Sequence, residues 1–283
     1  MARQKPTQRY SIQHIQAHTM QQRRDELVLE EPLELRLQFT MSGHMLTKSV
    51  SITMRTPGED YALAAGFLFT EDIISSADDI EKFDYCVGKE TQAFNILTIR
   101  LKEGATFDPE KLVRHFYTTS SCGVCGKASI DALEHRGLQT IPVTKNSLTV
   151  STLYELPDRM REAQAIFEKT GGLHAAGLFS FEGELIDLYE DIGRHNAVDK
   201  LIGARLLDRK LPLQDTILLV SGRLGFEITQ KAISAGLPIV ASVGAPSHLS
   251  VELARRFQMT LVGFVREQRC NVYSVPARLD HTR

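Results

Sequence analysis

The second half of the sequence alternates short apolar segments with segments of helical periodicity. Residues 215–220 form a continuous apolar run, and comparable runs occur at 237–243 and 259–265. Apolar strands separated by helices of about ten residues are typical of a largely parallel sheet covered on both faces. The pattern predicts a C-terminal α/β domain over residues 138–283, with helices at 196–207, 226–235 and 248–257 and an edge strand at 271–275.

The first half has the shorter alternation of antiparallel strands. Residues 33–40 alternate apolar and polar side chains, and 46–54 do so less strictly, with Ser42-Gly43-His44 between them. This spacing predicts a hairpin. A second hairpin is predicted from residues 80–87 and 94–101. Together they predict an antiparallel β-rich subdomain over residues 26–118, smaller than the C-terminal domain.

Two helices are predicted outside the α/β alternation. The first spans residues 60–69, with Thr56 as N-cap and Pro57 at the first helical position. The second spans residues 151–170, with Pro157 in its first turn. Gly171 and Gly172 follow as its stop signal.

Composition excludes several classes of protein. The 283 residues carry a net charge of −2, which argues against non-specific nucleic-acid binding. No apolar run approaches the about 20 residues of a membrane span. Four cysteines are too few for a disulfide scaffold, which favours the reducing cytoplasm. Residues 1–25 are expected to form a basic tail or a first strand, with cations at Arg3, Lys5, Arg9, Arg23 and Arg24.

Two of the cysteines form a C-x-x-C motif, Ser121-Cys122-Gly123-Val124-Cys125-Gly126. We expect residues 119–137 to form a mobile loop and a short helix, whose N-terminus would lower a thiol pKa. Three interpretations remain open: inert reduced thiols, half of a zinc site, or redox and sulfur-transfer chemistry. Zinc is disfavoured because Cys86 and Cys270 stand alone and form no second pair.

Glycine and arginine residues follow the predicted C-terminal strands. Ligands of open α/β sheets bind beyond the carboxyl ends of strands, where small residues let backbone N–H groups approach a phosphate. We therefore expect an anionic, nucleotide-like ligand, although neither a P-loop nor a dinucleotide fingerprint is present. The loops are Ser221-Gly222-Arg223, Gly244-Ala245-Pro246-Ser247 and the stretch Phe264, Val265, Arg266, Glu267, Gln268 and Arg269.

Two histidines at element boundaries are further candidates. His174 follows a glycine pair, and His195 follows Gly193-Arg194 at a predicted helix start. Each is close to a charge, which raises the chance of a site at His174, Arg194 and His195. Asp199 lies four residues after His195 and is expected to share its helix face.

Four stretches of the sequence resemble the FdhD family, the formate dehydrogenase accessory sulfurtransferases. The resemblance runs from about Leu33 to Pro276, and the C-x-x-C element combined with the G-R-H-x-A-x-D-K element is specific. The stretches are Ser121-Cys122-Gly123-Val124-Cys125-Gly126, Leu173-His174-Ala175-Ala176, residues 190–201 and Leu261-Val262-Gly263-Phe264.

The resemblance implies a cytoplasmic homodimer with a cytidine-deaminase-like α/β core. It implies that Cys122 carries sulfur as a persulfide from a cysteine desulfurase, with Cys125 as a possible assisting thiol. The acceptor would be the Mo-bis(molybdopterin guanine dinucleotide) cofactor of formate dehydrogenase, bound as a substrate by residues 264–269. The middle of that stretch differs from the family pattern, so Phe264 and Arg269 are the matching positions. No permanently bound metal is expected.

Three alternatives make different predictions. A zinc deaminase needs H-x-E and P-C-x-x-C elements, but Ala176 stands at the glutamate position and Ser121 at the proline position. A thiol-disulfide oxidoreductase would need both Cys122 and Cys125. A non-catalytic chaperone that binds the cofactor or the dehydrogenase would need neither thiol.

Overall fold

The computed structural model describes residues 5–85, 94–105, 137–142 and 147–281. The chain begins with an antiparallel hairpin of β1 (Thr7–Gln16) and β2 (Thr19–Val28). Most of its side chains are exposed. The basic segment at the start of the sequence thus belongs to a two-stranded ribbon, which continues past residue 25.

A four-stranded sheet follows the ribbon and contains both predicted hairpins. Its strands lie in the order β4-β3-β6-β5, and Leu35 and Leu97 are in its apolar core. Each hairpin is antiparallel, as predicted, but the hairpins join through a parallel pairing of β3 with β6. The elements are β3 (Glu31–Met41), β4 (His44–Arg55), α1 (Asp60–Thr70), β5 (Ile80–Tyr85) and β6 (Ile96–Leu101).

Helix α1 begins at the predicted residue, but its predicted N-cap is wrong. Thr56 is not its N-cap: the helix starts at Asp60, and the N-cap position is Glu59 in a left-handed conformation with φ of 56°. Thr56 has other partners, because its N–H donates to Asp191 Oδ2 and its hydroxyl accepts from the Ile192 N–H. A long-range contact has replaced the expected local cap.

The C-terminal half contains the predicted alternation. Strands and helices end within a few residues of their predicted limits, and β13 is an edge strand as expected. The elements are β7 (Leu148–Thr149), α2 (Val150–Ala163), α3 (Ala165–Thr170), β8 (His174–Phe179), β9 (Leu185–Asp191), α4 (Arg194–Leu207), β10 (Ile217–Val220), α5 (Phe226–Ser234), β11 (Ile239–Ser242), α6 (His248–Arg256), β12 (Thr260–Arg266), β13 (Arg269–Ser274) and β14 (Leu279–Asp280).

Six of these strands form one sheet in the order β13-β12-β11-β10-β8-β9. Strands β10, β11 and β12 are parallel neighbours, whereas β8 and β13 run the opposite way. Strand β9 is antiparallel to β8 and so shares the direction of β10. Four of the six strands therefore point to the same edge.

The predicted helix over residues 151–170 is two helices. Helix α2 begins at Val150 and contains Pro157 in its interior, not in its first turn as predicted. The N-cap is Thr149, whose hydroxyl accepts from the Thr152 N–H and so supports an earlier start. Gln164 interrupts the helical path with ψ of 73°, and Gly171 ends α3 in a left-handed conformation.

Helices cover both faces of the six-stranded sheet. Helices α4, α5 and α6 pack on one face through residues such as Val198, Ile228 and Leu253. Helix α2 packs on the other through Leu153 and Met160. No described helix is long and apolar enough to cross a membrane.

Two glycines set the contact between the two halves of the chain. A Cβ atom at Gly66 of α1 would overlap the Asp199 carbonyl, and one at Gly203 of α4 would overlap the Ala62 carbonyl. The helices therefore cross with their backbones in contact, which requires glycine on both sides.

Replacing Gly203 with alanine is expected to destabilise the fold by about 1–3 kcal/mol, because the added methyl group forces α1 and α4 apart. A local effect on helix propensity would have the opposite sign and stabilise by about 0.5–1 kcal/mol. Urea unfolding of Gly203→Ala separates the two. An unchanged or increased free energy of unfolding would contradict the close crossing.

Candidate functional site

Four loops meet at one edge of the six-stranded sheet. The carboxyl ends of β9, β10, β11 and β12 lie there because these strands share a direction. The amino ends of β8 and β13 lie at the same edge because these strands are reversed. The candidate loops therefore share one edge of the sheet. His174, at the start of β8, lies at the same edge.

The loops touch one another along a row of small residues. A Cβ atom on Gly222 would lie 3.4 Å from His174 Nδ1, and one on Gly244 would lie 3.1 Å from the Gly222 carbonyl oxygen. The Phe264 N–H donates to the Gly244 carbonyl at 3.0 Å. A Cβ at Gly244 would crowd the Gly222 and Arg223 backbone, so the loops after β10 and β11 pack closely, whereas a Cβ at Gly222 would make an ordinary van der Waals contact. Arg223 projects next to Gly244 and is exposed.

A cavity of about 510 Å³ opens beside this row, between the strand ends and helices α2 and α3. We call it the inner cavity. Ser221 lies in its wall and accepts the Ala175 N–H on its hydroxyl oxygen at 2.9 Å. The other lining residues that matter below are Arg161, Gln164, Phe167, His174 and Val243.

A second cavity, of about 710 Å³, lies along α2 at the turn between β12 and β13. We call it the turn cavity; Pro157 lines both it and the inner cavity. Arg266, Glu267 and Gln268 line it, and the last two have positive φ. Val265 differs from them, because its side chain is buried in the core. Arg269 pairs with Arg266 across the turn and is exposed.

Arg194 and His195 occupy the first turn of α4, at the same edge. His195 Nε2 is buried and has no hydrogen-bond partner among the described residues; the Glu227 carboxylate lies 3.8 Å away. Burial and the adjacent Arg194 cation lower the pKa of His195 to about 4. The same two causes lower the pKa of His174. Both imidazoles are therefore neutral at pH 7 and are able to accept or donate a hydrogen bond.

Asp191 holds the start of α4 in place. Its carboxylate forms a 2.6 Å ion pair with Lys200 and accepts from the Gly193 N–H and the Asn196 side chain. Asp199 follows His195 by four residues in the same helix, α4, but the two side chains have different partners. Asp199 is instead paired with Lys231 at 2.9 Å and accepts from the Thr70 hydroxyl. Most of the G-R-H-x-A-x-D-K element is thus a scaffold for Arg194 and His195.

Sequence reasoning missed the wall formed by α2 and α3. Gln164 lies four residues after Met160 on the apolar face of the predicted helix, and it is 4% exposed. The sequence signal that could have revealed this wall is the glutamine at a position where the helix periodicity predicts an apolar residue. Arg161 stacks its guanidinium on the Phe167 ring, 4.0 Å from the centroid.

The cysteine motif cannot be placed on this edge. Cys86, Cys122 and Cys125 lie outside the described residues, as does the short helix predicted within residues 119–137. Cys270 is described; it is half-buried, and burial raises the pKa of its thiol. A raised pKa makes Cys270 a poor nucleophile at neutral pH.

Comparison with known proteins assigns the chain to a family. The model of the FdhD/NarQ family matches residues 29–280. The chain belongs to the FdhD/NarQ family. Its curated FdhD relatives are similar over nearly their whole length. A Streptomyces avermitilis protein is 48% identical over 96% of this chain and 95% of the relative. A Sulfolobus acidocaldarius protein is 42% identical over 90% of this chain and 92% of the relative. Both are named sulfur carrier protein FdhD.

A solved structure supports the fold independently. It belongs to a Desulfotalea psychrophila protein proposed to be a formate dehydrogenase accessory protein. The match has a TM-score of 0.72 at 23% identity and covers 98% of this chain and 100% of the other. At this identity the match shows a shared fold, the mixed α/β architecture, and nothing more.

The low pKa of His195 makes the stability of the protein depend on pH. The unfolded chain restores the ordinary pKa of 6.5, so unfolding takes up a proton between pH 6.5 and about 4. Native stability therefore falls as the pH drops through this window. We expect His195→Gln to reduce the loss of unfolding free energy between about pH 7 and about pH 5. Urea unfolding of both proteins at the two pH values measures this change in the free energy of unfolding.

His248, an exposed histidine of α6, provides the matched control. If His195→Gln and the parent chain lost equal stability on acidification, the neutral buried imidazole would be ruled out.

Proposed function

We propose that this chain is a sulfur carrier that receives sulfur as a persulfide on Cys122. The observation that carries the proposal is the family match, with relatives named sulfur carrier proteins aligned over nearly the whole chain. The C-x-x-C motif supplies the chemistry that such a role needs, a thiolate flanked by glycines. Cys270 is a poor substitute because its pKa is raised.

The transfer is a thiol-persulfide exchange. The Cys122 thiolate attacks the terminal sulfur of a donor persulfide, and the donor cysteine leaves as a thiolate when its S–S bond breaks. Cys122 then holds the terminal sulfur without any net oxidation. Cys125, three residues further along the sequence, would assist, for example by accepting or releasing a proton. A cysteine desulfurase is the donor of suitable chemistry.

We propose the Mo-bis(molybdopterin guanine dinucleotide) cofactor as the sulfur acceptor and substrate, bound at the sheet edge. The edge fits a large ligand with phosphates because Gly222 carries no side chain at the end of β10 and the exposed Arg223 supplies a cation. The two cavities offer room for the remaining groups. Of residues 264–269, Arg266, Glu267 and Gln268 line the turn cavity.

The loaded cofactor is destined for formate dehydrogenase, and the carrier acts as a cytoplasmic homodimer. The Desulfotalea psychrophila neighbour has a proposed role as a formate dehydrogenase accessory protein, which agrees with this destination. Within the described part of the chain, no three histidine, cysteine or acidic side chains form a metal-binding group. Nothing in the proposal requires a resident metal.

Cys122→Ala is expected to abolish sulfur loading, because it removes the attacking thiolate. The purified chain is incubated with a cysteine desulfurase and cysteine, and intact-mass spectrometry then measures the gain of one sulfur atom. Cys125→Ala is expected to retain part of the loading, and Cys270→Ala all of it.

The same variants separate the alternatives. If the chain were a thiol-disulfide oxidoreductase, Cys122→Ala and Cys125→Ala would lose activity equally. The parent chain would then form a disulfide between Cys122 and Cys125. A non-catalytic chaperone would support formate dehydrogenase activity in cells without Cys122. Either result would replace the sulfur-carrier proposal.

The phosphate-binding edge is tested with Arg223→Gln. Removing one charge-assisted hydrogen bond is expected to weaken the binding of guanosine diphosphate by about tenfold or more. Calorimetry of the full chain measures the dissociation constant, with Arg9→Gln on the exposed ribbon as the matched control. Equal affinities of both variants would place the phosphates elsewhere.

A further inference from the structure

The hairpin of β1 and β2 is a regular two-stranded ribbon whose faces are both open. Its ladder of residue pairs is continuous from Thr7 opposite Val28 to Gln16 opposite Thr19. Yet none of the residues 7–28 is buried in the described structure. A two-stranded hairpin without a covering layer is marginally stable at best in water. A ladder of this length is therefore expected to gain a covering surface from another molecule.

The ribbon is attached to the rest of the chain at its base. The Leu29 N–H donates to the Pro6 carbonyl at 2.8 Å, and β2 packs against α3. Val28 lies 3.2 Å from the position that a Cβ atom on Gly172 would take. Beyond this base, every residue from 15 to 25 is exposed. The distal part of the ribbon is thus open to a partner.

The distal end of the ribbon carries two apolar side chains. Ile15 and Met20 are directly opposite each other across the strands, and they are 64% and 66% exposed. Opposed side chains of an antiparallel pair share one face and lie about 5 Å apart. We call this pair the apolar tip. Single exposed apolar residues are common, but an adjacent pair is able to enter one cleft of a partner together.

The ribbon and the rest of the chain have opposite charges. Residues 1–24 contain five cations and no acidic residue, and the whole chain has a net charge of −2. Without those five charges, residues 25–283 carry a net charge of −7. Arg23 and Arg24 are exposed next to the apolar tip. These charges favour contact between a ribbon and the acidic body of another copy, and they oppose contact between two ribbons.

We propose that residues 7–28 are a docking arm that binds the acidic body of a second copy of this chain. The apolar tip is buried against that body, and Arg23 and Arg24 are placed near its carboxylates. Two copies related by a two-fold axis exchange arms, so that each body receives one arm. This inference rests on the proposed function, in which the carrier is a homodimer, and it assigns the surface that joins the copies.

The apolar tip is tested by sedimentation velocity of the full chain over a dilution series, which measures the dissociation constant of the dimer. Ile15→Ser combined with Met20→Ser is expected to raise this constant about tenfold or more, because two apolar side chains no longer leave water. The matched control combines Ile186→Ser with Val272→Ser, which are 42% and 41% exposed on the two edge strands of the six-stranded sheet. Equal effects of the two double variants would overturn the inference.

The arginines are tested by reversing their charge. Arg23→Glu combined with Arg24→Glu is expected to raise the dissociation constant about tenfold or more and to reduce its dependence on salt, because attraction to the acidic body is lost. Lys48→Glu combined with Lys210→Glu makes the same change in net charge at exposed positions outside the arm. If this control weakened the dimer as much, net charge rather than the arm would control association, and the inference would be wrong.

Cross-linking locates the contact without depending on a weakened variant. Ile15 is replaced by the photoreactive benzoylphenylalanine, and this chain is mixed with an isotope-labelled parent chain before irradiation. We expect cross-links from the arm to residues 29–283 of the labelled copy, identified by mass spectrometry. Cross-links only within one chain, or only between two ribbons, would contradict the inference. So would a parent chain that sediments as a monomer, because an arm for a different acidic protein would need no second copy.

These outcomes are separable from the test of the proposed function. Sulfur loading of Cys122, measured by intact mass, reports the carrier chemistry whether or not the arm binds a second copy. A dimer that is unaffected by the arm variants would leave the homodimer in place and reject only the assigned surface.

Discussion

The buried carboxylate of Asp191 is the interaction on which the geometry of the sheet edge depends. It is fully buried and bonds to Lys200, to the Gly193 and Thr56 N–H groups and to the Asn196 amide. A buried ion pair is stabilising only when its remaining hydrogen-bonding capacity is satisfied, and here it is. Because these partners come from β4 and α4, one side chain fixes the N-terminal subdomain against the first turn of α4. Arg194 and His195 are positioned as a consequence.

A second buried pair reinforces the same contact from the far end of α1. Lys231 of α5 bonds to Asp199 of α4 and to the Thr70 hydroxyl at the end of α1. With the glycine crossing at Gly66 and Gly203, three helices are held in one orientation. The polar groups fix the register of the helices, whereas the apolar clusters on either side supply most of the burial. This division explains why a motif that looks catalytic consists largely of structural residues.

Much of the fold could be predicted from the sequence because strand and helix periodicities are local. The direction rule for parallel strands then placed Gly222, Gly244 and Phe264 at one edge. Features set by distant contacts were not predictable in this way. The sequence around Thr56 is typical of a helix N-cap, but the Thr56 N–H bonds to Asp191. The alternation of apolar and polar residues predicts strands but does not show that β3 pairs with β6 in parallel. Gln164 was missed since a helix pattern shows which face is buried but not that a cavity lies behind it.

Chain length sets an upper limit on the distance between Cys122, the proposed carrier thiol, and the next described anchor of the chain. The described chain resumes at residues 137–142, where the Ile141 N–H bonds to the Phe257 carbonyl and Arg278 binds the Ile141 carbonyl. Phe257 follows α6 and precedes β12, so this anchor lies at the opposite edge of the sheet from the strand ends that border the cavities. A strand of four to seven residues spans roughly 13–24 Å. From Cys122 to Ile141 the sequence has a fully extended limit of roughly 63–68 Å, which is more than twice the length of the longest of these strands. The spacing in the sequence therefore permits the proposed exchange, in which Cys122 meets a donor away from the sheet edge and an acceptor at it.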